Sequence, residues 1–193
     1  MLNDRSSAAS LLATRRSGKP RDMITPGPDQ AMMDRILAAA CRTPDHGKLA
    51  PWRFVIVPQD ARNAFAAMLR DAYLADKPDA GRLELEAIDQ FAHQAPALVV
   101  AISSPARASH IPIWEQELSV GAACMNLILA AHAEGLVAGW LTGWASYSPE
   151  VRTSFAEDHE RIAGFIFLGT APAEPQERPR PELSSKVTIW QHQ

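Results

Sequence analysis

The sequence predicts an α+β domain in which a helix-rich core surrounds a sheet of four or five strands. Several segments repeat apolar residues at helical spacing, whereas a few short segments are continuously apolar, as buried strands are. The two kinds of segment do not alternate regularly, which disfavours a doubly wound sheet. A length of 193 residues with 47% hydrophobic and 21% charged residues fits one domain with a sizeable core.

The first half of the chain is predicted to hold four helices and one strand. Asp29 is a suitable N-cap for the second helix, and Pro44 follows the residue that ends it. Residues 75–82 are polar and contain Pro78 and Gly81, so we expect a connection there and a lid contributed by residues 75–93. The predicted elements are helix 4–15, a helix from residue 29 to 43, strand 51–57, helix 60–74 and helix 83–93.

The second half centres on residues 114–134, a helix that is apolar nearly all round. Such a helix is either the centre of a large core or part of a dimer interface. Gly135 fits its C-terminal cap, and Pro149 fits the first turn of a later short helix. The remaining predicted elements are strands 97–102, 136–141 and 162–168.

The composition changes after Gly169, where prolines at 172, 175, 179 and 181 predict an extended arm over about 171–193. Residues 187–190 are apolar and β-prone within that arm. A partner subunit would give the arm a surface to pair with, so the arm favours a homodimer.

Charge and composition exclude several classes. A net charge of −3 gives no basis for nucleic-acid binding, and no apolar run approaches the roughly 18–20 residues of a membrane span. The N-terminus lacks a secretory pattern, so a cytoplasmic location is expected. Cys41 and Cys124 match no metal spacing and are predicted to be small buried residues, and no metal site is expected. Neither a G-x-G-x-x-G nor a P-loop motif occurs, so arginines must hold any phosphate-bearing cofactor.

Four segments could carry chemistry. Residues 15–19, Arg-Arg-Ser-Gly-Lys, place three cations and a hydroxyl at a helix end, where they could bind a phosphate or form a solvated basic terminus. His46 lies in a loop before a strand, where it could donate a hydrogen bond to a ligand oxygen or be an ordinary exposed histidine. Residues 139–143 could offer backbone groups to a planar ring. Arg178 and Arg180 stand two apart on an extended backbone, so they could clamp one phosphate or solubilise a tail. Glu115 and Glu117 do not make a convincing catalytic pair, because residues two apart on a helix face different sides.

The order of these motifs resembles the FMN-dependent nitroreductase family, from about residue 5 to 190. The motifs are R-R-S-x-K, R-T-P-D-H, P-W-R-F, W-E-Q-E-x-S-x-G-A-A, G-x-x-x-G-W, G-F-I-F-L-G-T and R-P-R-P. The P-D-H and W-E-Q-E variants resemble the short branch named for NAD(P)H nitroreductases. The resemblance implies a central mixed or antiparallel sheet surrounded by helices, in an intertwined homodimer with FMN sites at the interface.

The resemblance also implies roles for individual residues. Arg15 and Ser17 would contact the phosphate and ribityl chain, with Arg16 along the same stretch and Lys19 near N1 and O2 of the ring. Arg42 and His46 would reach the flavin of the other subunit. The other implied contacts are Trp140, Leu141 and Thr142 on the opposite side, and the phosphate pair Arg178 and Arg180.

The implied reaction passes a hydride from NADH or NADPH to N5 of FMN, and then electrons to a nitroaromatic, quinone or similar acceptor in a ping-pong sequence. No protein nucleophile is required. Two positions depart from the family pattern: Lys48 replaces a flavin-contacting asparagine, and Leu141 stands where close relatives can carry arginine. The alternatives are a flavin reductase, a dehalogenating or oxidative member of the fold, a flavin-binding protein with little turnover, and a structural helical dimer.

Overall fold

The computed structural model describes residues 1–192, so Gln193 of the predicted arm lies outside the described residues. Within them the chain forms seven α-helices and four strands, in an α+β arrangement. The helices are α1 (Ala8–Thr14), α2 (Gln30–Ala40), α3 (Arg62–Asp76), α4 (Arg82–His93), α5 (Ile113–Ala133), α6 (Trp144–Tyr147) and α7 (Pro149–Thr153). The strands are β1 (Trp52–Val57), β2 (Ala97–Ser103), β3 (Val137–Leu141) and β4 (Arg161–Gly169).

The four strands form one sheet in the order β1-β2-β4-β3, and every neighbouring pair is antiparallel. The sheet therefore has four of the predicted four or five strands, and it contains no parallel pair within the described residues. Strands β2 and β4 are central and carry helices on both faces, which explains why their sequences are continuously apolar.

The sheet divides the core into two layers of packing. Phe165 and Phe167 of β4 point to the face that is covered by α3, α4 and α7. Ile166 and Leu168, the alternating residues, point to the face that is covered by α2 and α5. Successive side chains of a strand point to opposite faces, so one strand serves both cores.

Capping residues in the sequence set the ends of several helices. The Asp29 carboxylate accepts a hydrogen bond from the Met32 backbone N at 2.7 Å, which confirms it as the N-cap of α2. Pro149 occupies the first turn of α7, and Gly135 follows α5 with a φ of +95°. Helix α1 begins at Ala8 rather than at residue 4, because the Ser7 hydroxyl caps it by accepting from the Ser10 backbone N.

Helices α3 and α4 form a hairpin, and their connection is shorter than predicted. Lys77 and Glu84 pair at 2.6 Å across the turn. Near the end of α4, Phe91 packs edge-on against Phe165 and Phe167, so this end of the predicted lid is part of the core. Whether the outer half of residues 75–93 works as a lid stays a prediction.

Arg62 of α3 is buried inside this packing, at 1% exposure. Its guanidinium donates to the carbonyl oxygens of Val57, Ala92 and Gln94 at 3.1, 2.8 and 3.4 Å. Burial lowers the pKa of Arg62 to about 10, so the side chain keeps its charge at neutral pH. The buried arginine ties β1, α3 and the end of α4 together.

One sequence prediction was wrong. Cys41 is exposed, because it follows the last residue of α2 and lies outside the buried stripe of that helix; Cys124 is buried as predicted. Residues 187–190 form no strand in the described chain, and Ile189 and Trp190 are 87% and 81% exposed. Neither edge strand, β1 or β3, of the same chain pairs with this segment, and its pairing with a partner subunit stays a prediction.

Helix α5 packs one side against the sheet, which supports the prediction of a central core helix. At its N-terminal end Ile113, Trp114 and Leu118 are 42%, 67% and 54% exposed. A dimer-interface role for that exposed end therefore stays open. Along residues 1–192, no helix combines the length and the apolar character that crossing a bilayer requires.

Candidate functional site

A groove of about 960 Å³ runs along the outer edge of β3. Its walls are the segment that follows α1 and the start of the C-terminal arm, with α5 and β3 beneath. The lining consists of residues 15–23, Gln94, Met125, Ile128, Val137, residues 139–141 and residues 171–177. The groove thus unites two parts of the chain that are far apart in sequence.

The basic segment 15–19 is held on β3 by close backbone contact. The Gly18 backbone N donates to the Ala138 carbonyl at 3.1 Å. A Cβ on Gly18 would lie 2.8 Å from Cγ2 of Val137, and a Cβ on Gly139 would lie 2.8 Å from the Gly18 carbonyl oxygen. Both glycines are needed for this approach, so the position of the basic segment is fixed by the sheet.

The predicted basic pairs from the two ends of the chain meet at this groove. Arg15 donates to the Ser17 hydroxyl at 3.1 Å, and Arg180 donates to the Arg15 carbonyl at 3.4 Å. Arg16 donates to the Gln176 carbonyl at 2.9 Å. These contacts bring Arg15, Arg16, Ser17 and Arg180 together, and their binding of a cofactor phosphate stays a prediction.

The electrostatics of this cluster favour an anion. Burial, followed by the charges of Arg180, Arg16 and Arg178, lowers the pKa of Arg15. Glu177 offsets part of the crowding by accepting from Arg180 at 3.2 Å. Four guanidiniums that repel one another form a site that a phosphate dianion would stabilise, because it accepts bidentate hydrogen bonds and cancels positive charge.

Trp140 forms an apolar wall of the groove, and a bulge in β4 fixes its position. Ala101 of β2 pairs with Gly164 and the next residue pairs with Ile162, so Ala163 is an extra residue in β4. The Trp140 indole Nε1 donates to the Ala163 carbonyl at 3.1 Å. A Cβ on Gly164, whose φ is +152°, would lie 2.1 Å from this nitrogen, so the ring lies directly over the glycine.

The remaining predicted residues of this side differ in their placement. Lys19 and Leu141 line the groove. Thr142 is exposed just beyond β3 and lies outside the lining. Arg178 and Arg180 act on Arg15 through their charge, and both lie outside the lining, just beyond its last residue, Glu177.

A buried histidine lies behind the basic cluster. His132 of α5 is 1% exposed, and within residues 1–192 neither ring nitrogen has a hydrogen-bond partner. Burial, with a smaller contribution from the Arg15 charge, lowers the pKa of His132 to about 4. The ring is therefore neutral at physiological pH, and nothing in the sequence pattern distinguished it from a core residue.

Arg42 and His46 lie away from this groove, on the segment that follows α2. His46 Nδ1 and Glu115 Oε2 are 2.8 Å apart, and the Asn126 side chain donates to the Arg42 carbonyl at 3.1 Å. Sequence reasoning assigned no role to Glu115, since it considered only a pairing with Glu117. Lys48 is exposed in the same loop, with a φ of +56°.

The model of the nitroreductase family matches residues 12–170 of this sequence. The chain belongs to the nitroreductase family. The match begins inside α1 and ends just after β4, so it spans the sheet, both cores and the basic segment at residues 15–19.

Two bacterial relatives are similar over most of their length. The Escherichia coli K12 protein "Putative NAD(P)H nitroreductase YdjA" is 32% identical over 164 residues, which is 84% of this chain and 87% of the relative. A Haemophilus influenzae protein with the same descriptive name is 35% identical over 166 residues, 84% and 88% of the two chains. These relatives confirm the resemblance that the motif order indicated.

Solved structures confirm the nitroreductase-like fold. A nitroreductase-like family protein from Bacillus cereus superimposes with a TM-score of 0.79 at 20% identity, covering 95% of this chain and 96% of its own. The FMN- and NADPH-dependent nitroreductase NfnB of Sphigopyxis sp. strain HMH gives a TM-score of 0.73 at 20% identity, covering 96% and 99%. At 20% identity these two structures show that the fold is shared, and nothing more.

Proposed function

We propose that this chain binds FMN in the groove along β3 and acts as a homodimeric NAD(P)H-dependent oxidoreductase. The observation that carries the proposal is the meeting of Arg15, Arg16 and Ser17 with Arg180 beside an apolar wall, within a nitroreductase fold. The relatives named as NAD(P)H nitroreductases, and the structural neighbour named as FMN- and NADPH-dependent, support the same cofactor and electron donor.

The residues that line the groove, with Arg178 and Arg180 beside it, fit FMN. The phosphate requires cationic and hydroxyl donors, which Arg15, Ser17 and Arg180 provide, and Arg16 and Arg178 add charge. The flat ring requires an apolar surface, which Trp140 and Leu141 provide. Because four guanidiniums crowd together, binding of the phosphate should relieve repulsion that the free protein contains.

FMN, when bound, supplies the electron transfer, taking two electrons from NADH or NADPH and passing them to a nitroaromatic, quinone or similar acceptor in a ping-pong sequence. The chain's residues bind and orient the reactants. In this proposal the Lys19 ammonium lies near N1 and O2 of the ring and stabilises negative charge there. Trp140, held by the Ala163 carbonyl, limits where a planar reactant can stack.

Arg42 and His46 complete the proposed site across the dimer. They lie outside the groove of their own chain, so in this proposal they contact the flavin that is bound to the partner subunit. Flavin binding and dimerisation should then be linked, because each stabilises the state that the other requires. Thr142 is proposed as a further contact at the mouth of the groove.

The test is FMN titration of flavin-free protein, followed by NADH and NADPH oxidation with a panel of acceptors. Arg15→Ala combined with Arg180→Ala should weaken FMN binding by about 100-fold, since two charge-assisted hydrogen bonds are lost. Arg82→Ala removes an exposed arginine that pairs with Glu86 outside the groove, and should leave binding unchanged. Colourless protein that does not take up FMN would refute the proposal.

Acceptor-dependent turnover separates the oxidoreductase from a flavin-binding protein with little activity. An enzyme oxidises NAD(P)H many times per flavin when an acceptor is present. A carrier or regulatory protein would be reduced once and stop. Preference for free flavin as the acceptor would instead identify a flavin reductase on the same fold.

A further inference from the structure

Helix α5 carries three polar residues on the side that faces the segment after α2. Glu115, Ser119 and Asn126 are spaced by four and seven residues, so they lie on one face of the helix. Most other residues of this helix are apolar. Each of the three forms a hydrogen bond with the segment from Arg42 to His46.

Two of these contacts hold the backbone of the segment. The Asn126 side-chain nitrogen donates to the Arg42 carbonyl at 3.1 Å and to the Thr43 hydroxyl at 2.9 Å. The Ser119 hydroxyl donates to the Pro44 carbonyl at 2.6 Å. Residues 42–44 therefore lie along α5, and these contacts fix the backbone from which the side chains of Arg42 and His46 extend.

The third contact fixes a side chain. His46 Nδ1 lies 2.8 Å from Oε2 of Glu115, and a carboxylate can only accept a hydrogen bond. Nδ1 therefore carries a proton, and Nε2 is the ring nitrogen that is left for a ligand. The His46 side chain is 66% exposed, so a second molecule can reach it.

The loop around His46 is also constrained on its other side. Asp45 accepts a hydrogen bond from the Ala50 backbone N at 2.8 Å. Gly47 has a φ of +77° and packs so tightly on Ile111 that a Cβ would lie 2.4 Å from Cδ1 of that residue. The histidine is thus presented from a loop whose two ends are both tied down.

We propose that Glu115 is a positioning residue that sets the tautomer and orientation of His46, while Ser119 and Asn126 hold the backbone that presents Arg42. This inference rests on the proposed function, in which Arg42 and His46 contact the FMN of the partner subunit. Glu115 does not touch the flavin. It acts through the imidazole, as carboxylates do when they accept a hydrogen bond from a metal-binding histidine and fix its orientation.

The experiment compares FMN affinity and the state of the His46 ring in a set of variants. Glu115→Ala removes the acceptor, Glu115→Gln keeps an amide oxygen that can still accept, and His46→Ala removes the ring. Glu117→Ala is the matched control, because Glu117 is on the same helix and pairs only loosely with Arg161, at 3.7 Å. ¹⁵N NMR of the imidazole, at a pH where the ring is neutral, reports the tautomer without flavin or turnover.

We expect Glu115→Ala to weaken FMN binding by about 3- to 10-fold, the usual worth of one hydrogen bond. Glu115→Gln should restore most of the affinity, and Glu117→Ala should match the parent. In the His46→Ala background, Glu115→Ala should add no further loss. The parent ring should be the Nδ1–H tautomer, and Glu115→Ala should shift it towards Nε2–H.

A parent ring in the Nε2–H form would overturn the inference. So would an equal loss of affinity from Glu115→Ala with and without His46, because that result would identify a purely structural contact. If the parent protein binds no FMN, the proposed function fails, and the NMR measurement alone then decides whether Glu115 positions His46.

Discussion

Replacing His132 with leucine should remove the contribution of this residue to the pH dependence of stability between about pH 8 and pH 5. The ring is buried at 1% exposure and has no hydrogen-bond partner among residues 1–192. Its pKa is lowered from 6.5 to about 4, first by burial and then by the charge of Arg15. The folded state therefore binds a proton less readily than the unfolded chain.

The direction of the effect follows from this difference. The stability that the neutral ring allows is fully present above the unfolded pKa of 6.5, and it is lost as the pH falls towards the folded value of about 4. At about pH 5 the unfolded histidine is mostly protonated and the folded one is mostly neutral, which costs about 2 kcal/mol relative to about pH 8. The full difference between the two pKa values corresponds to about 3 kcal/mol.

The assay is urea unfolding of flavin-free protein at both pH values and at one fixed protein concentration, since dimerisation would make stability concentration-dependent. His132→Leu should lose about 2 kcal/mol less than the parent between about pH 8 and pH 5, whatever its absolute stability. His159→Leu controls for the loss of a histidine, since His159 is exposed in the loop before β4. Parallel pH profiles for the parent and His132→Leu would refute the argument.

Three further outcomes are expected. Arg62→Met should lower the free energy of unfolding by about 3 kcal/mol, measured with urea, because three carbonyls would lose their buried donor; a loss below about 1 kcal/mol would contradict this. Gly164→Ala should displace the Trp140 ring, shift its fluorescence and weaken FMN binding several-fold, whereas Gly81→Ala, whose Cβ would meet only a side-chain oxygen at 3.7 Å, should do neither. Lys19→Ala should slow flavin reduction by about tenfold in stopped-flow measurements while FMN stays bound, and unchanged reduction rates would remove Lys19 from its proposed role.

Periodicity predicted most of the fold because each element has a local cause. The buried strands β2 and β4 are continuous apolar runs, and Asp29 and Pro149 mark helix starts through hydrogen bonding and fixed φ. Residues 187–190 show where such reasoning ends. Their apolar, β-prone character indicates that these side chains favour burial. A strand also requires a neighbouring strand, and none of the described strands pairs with residues 187–190.

The candidate site was predicted in part, and for a different reason. Residues 15–19 and 178–180 are individually ambiguous, and only the order of motifs along the chain connected them; the structure then brings Arg15 and Arg180 into contact. The pairing of Glu115 with His46 was missed because it joins two elements that are 69 residues apart. Polar residues at 115, 119 and 126, on one face of a mostly apolar helix, were the available signal.

The contact between the two ends of the groove has a consequence for synthesis. Arg16 donates a hydrogen bond to Gln176, 160 residues away in sequence, and Arg180 donates one to Arg15, 165 residues away. At the usual elongation rates of about 5–20 residues per second, the basic segment leaves the ribosome roughly 8–30 s before its counterpart is made. The growing chain therefore carries only half of the proposed anion site through most of translation, and binding of the FMN phosphate should be among its last steps of maturation.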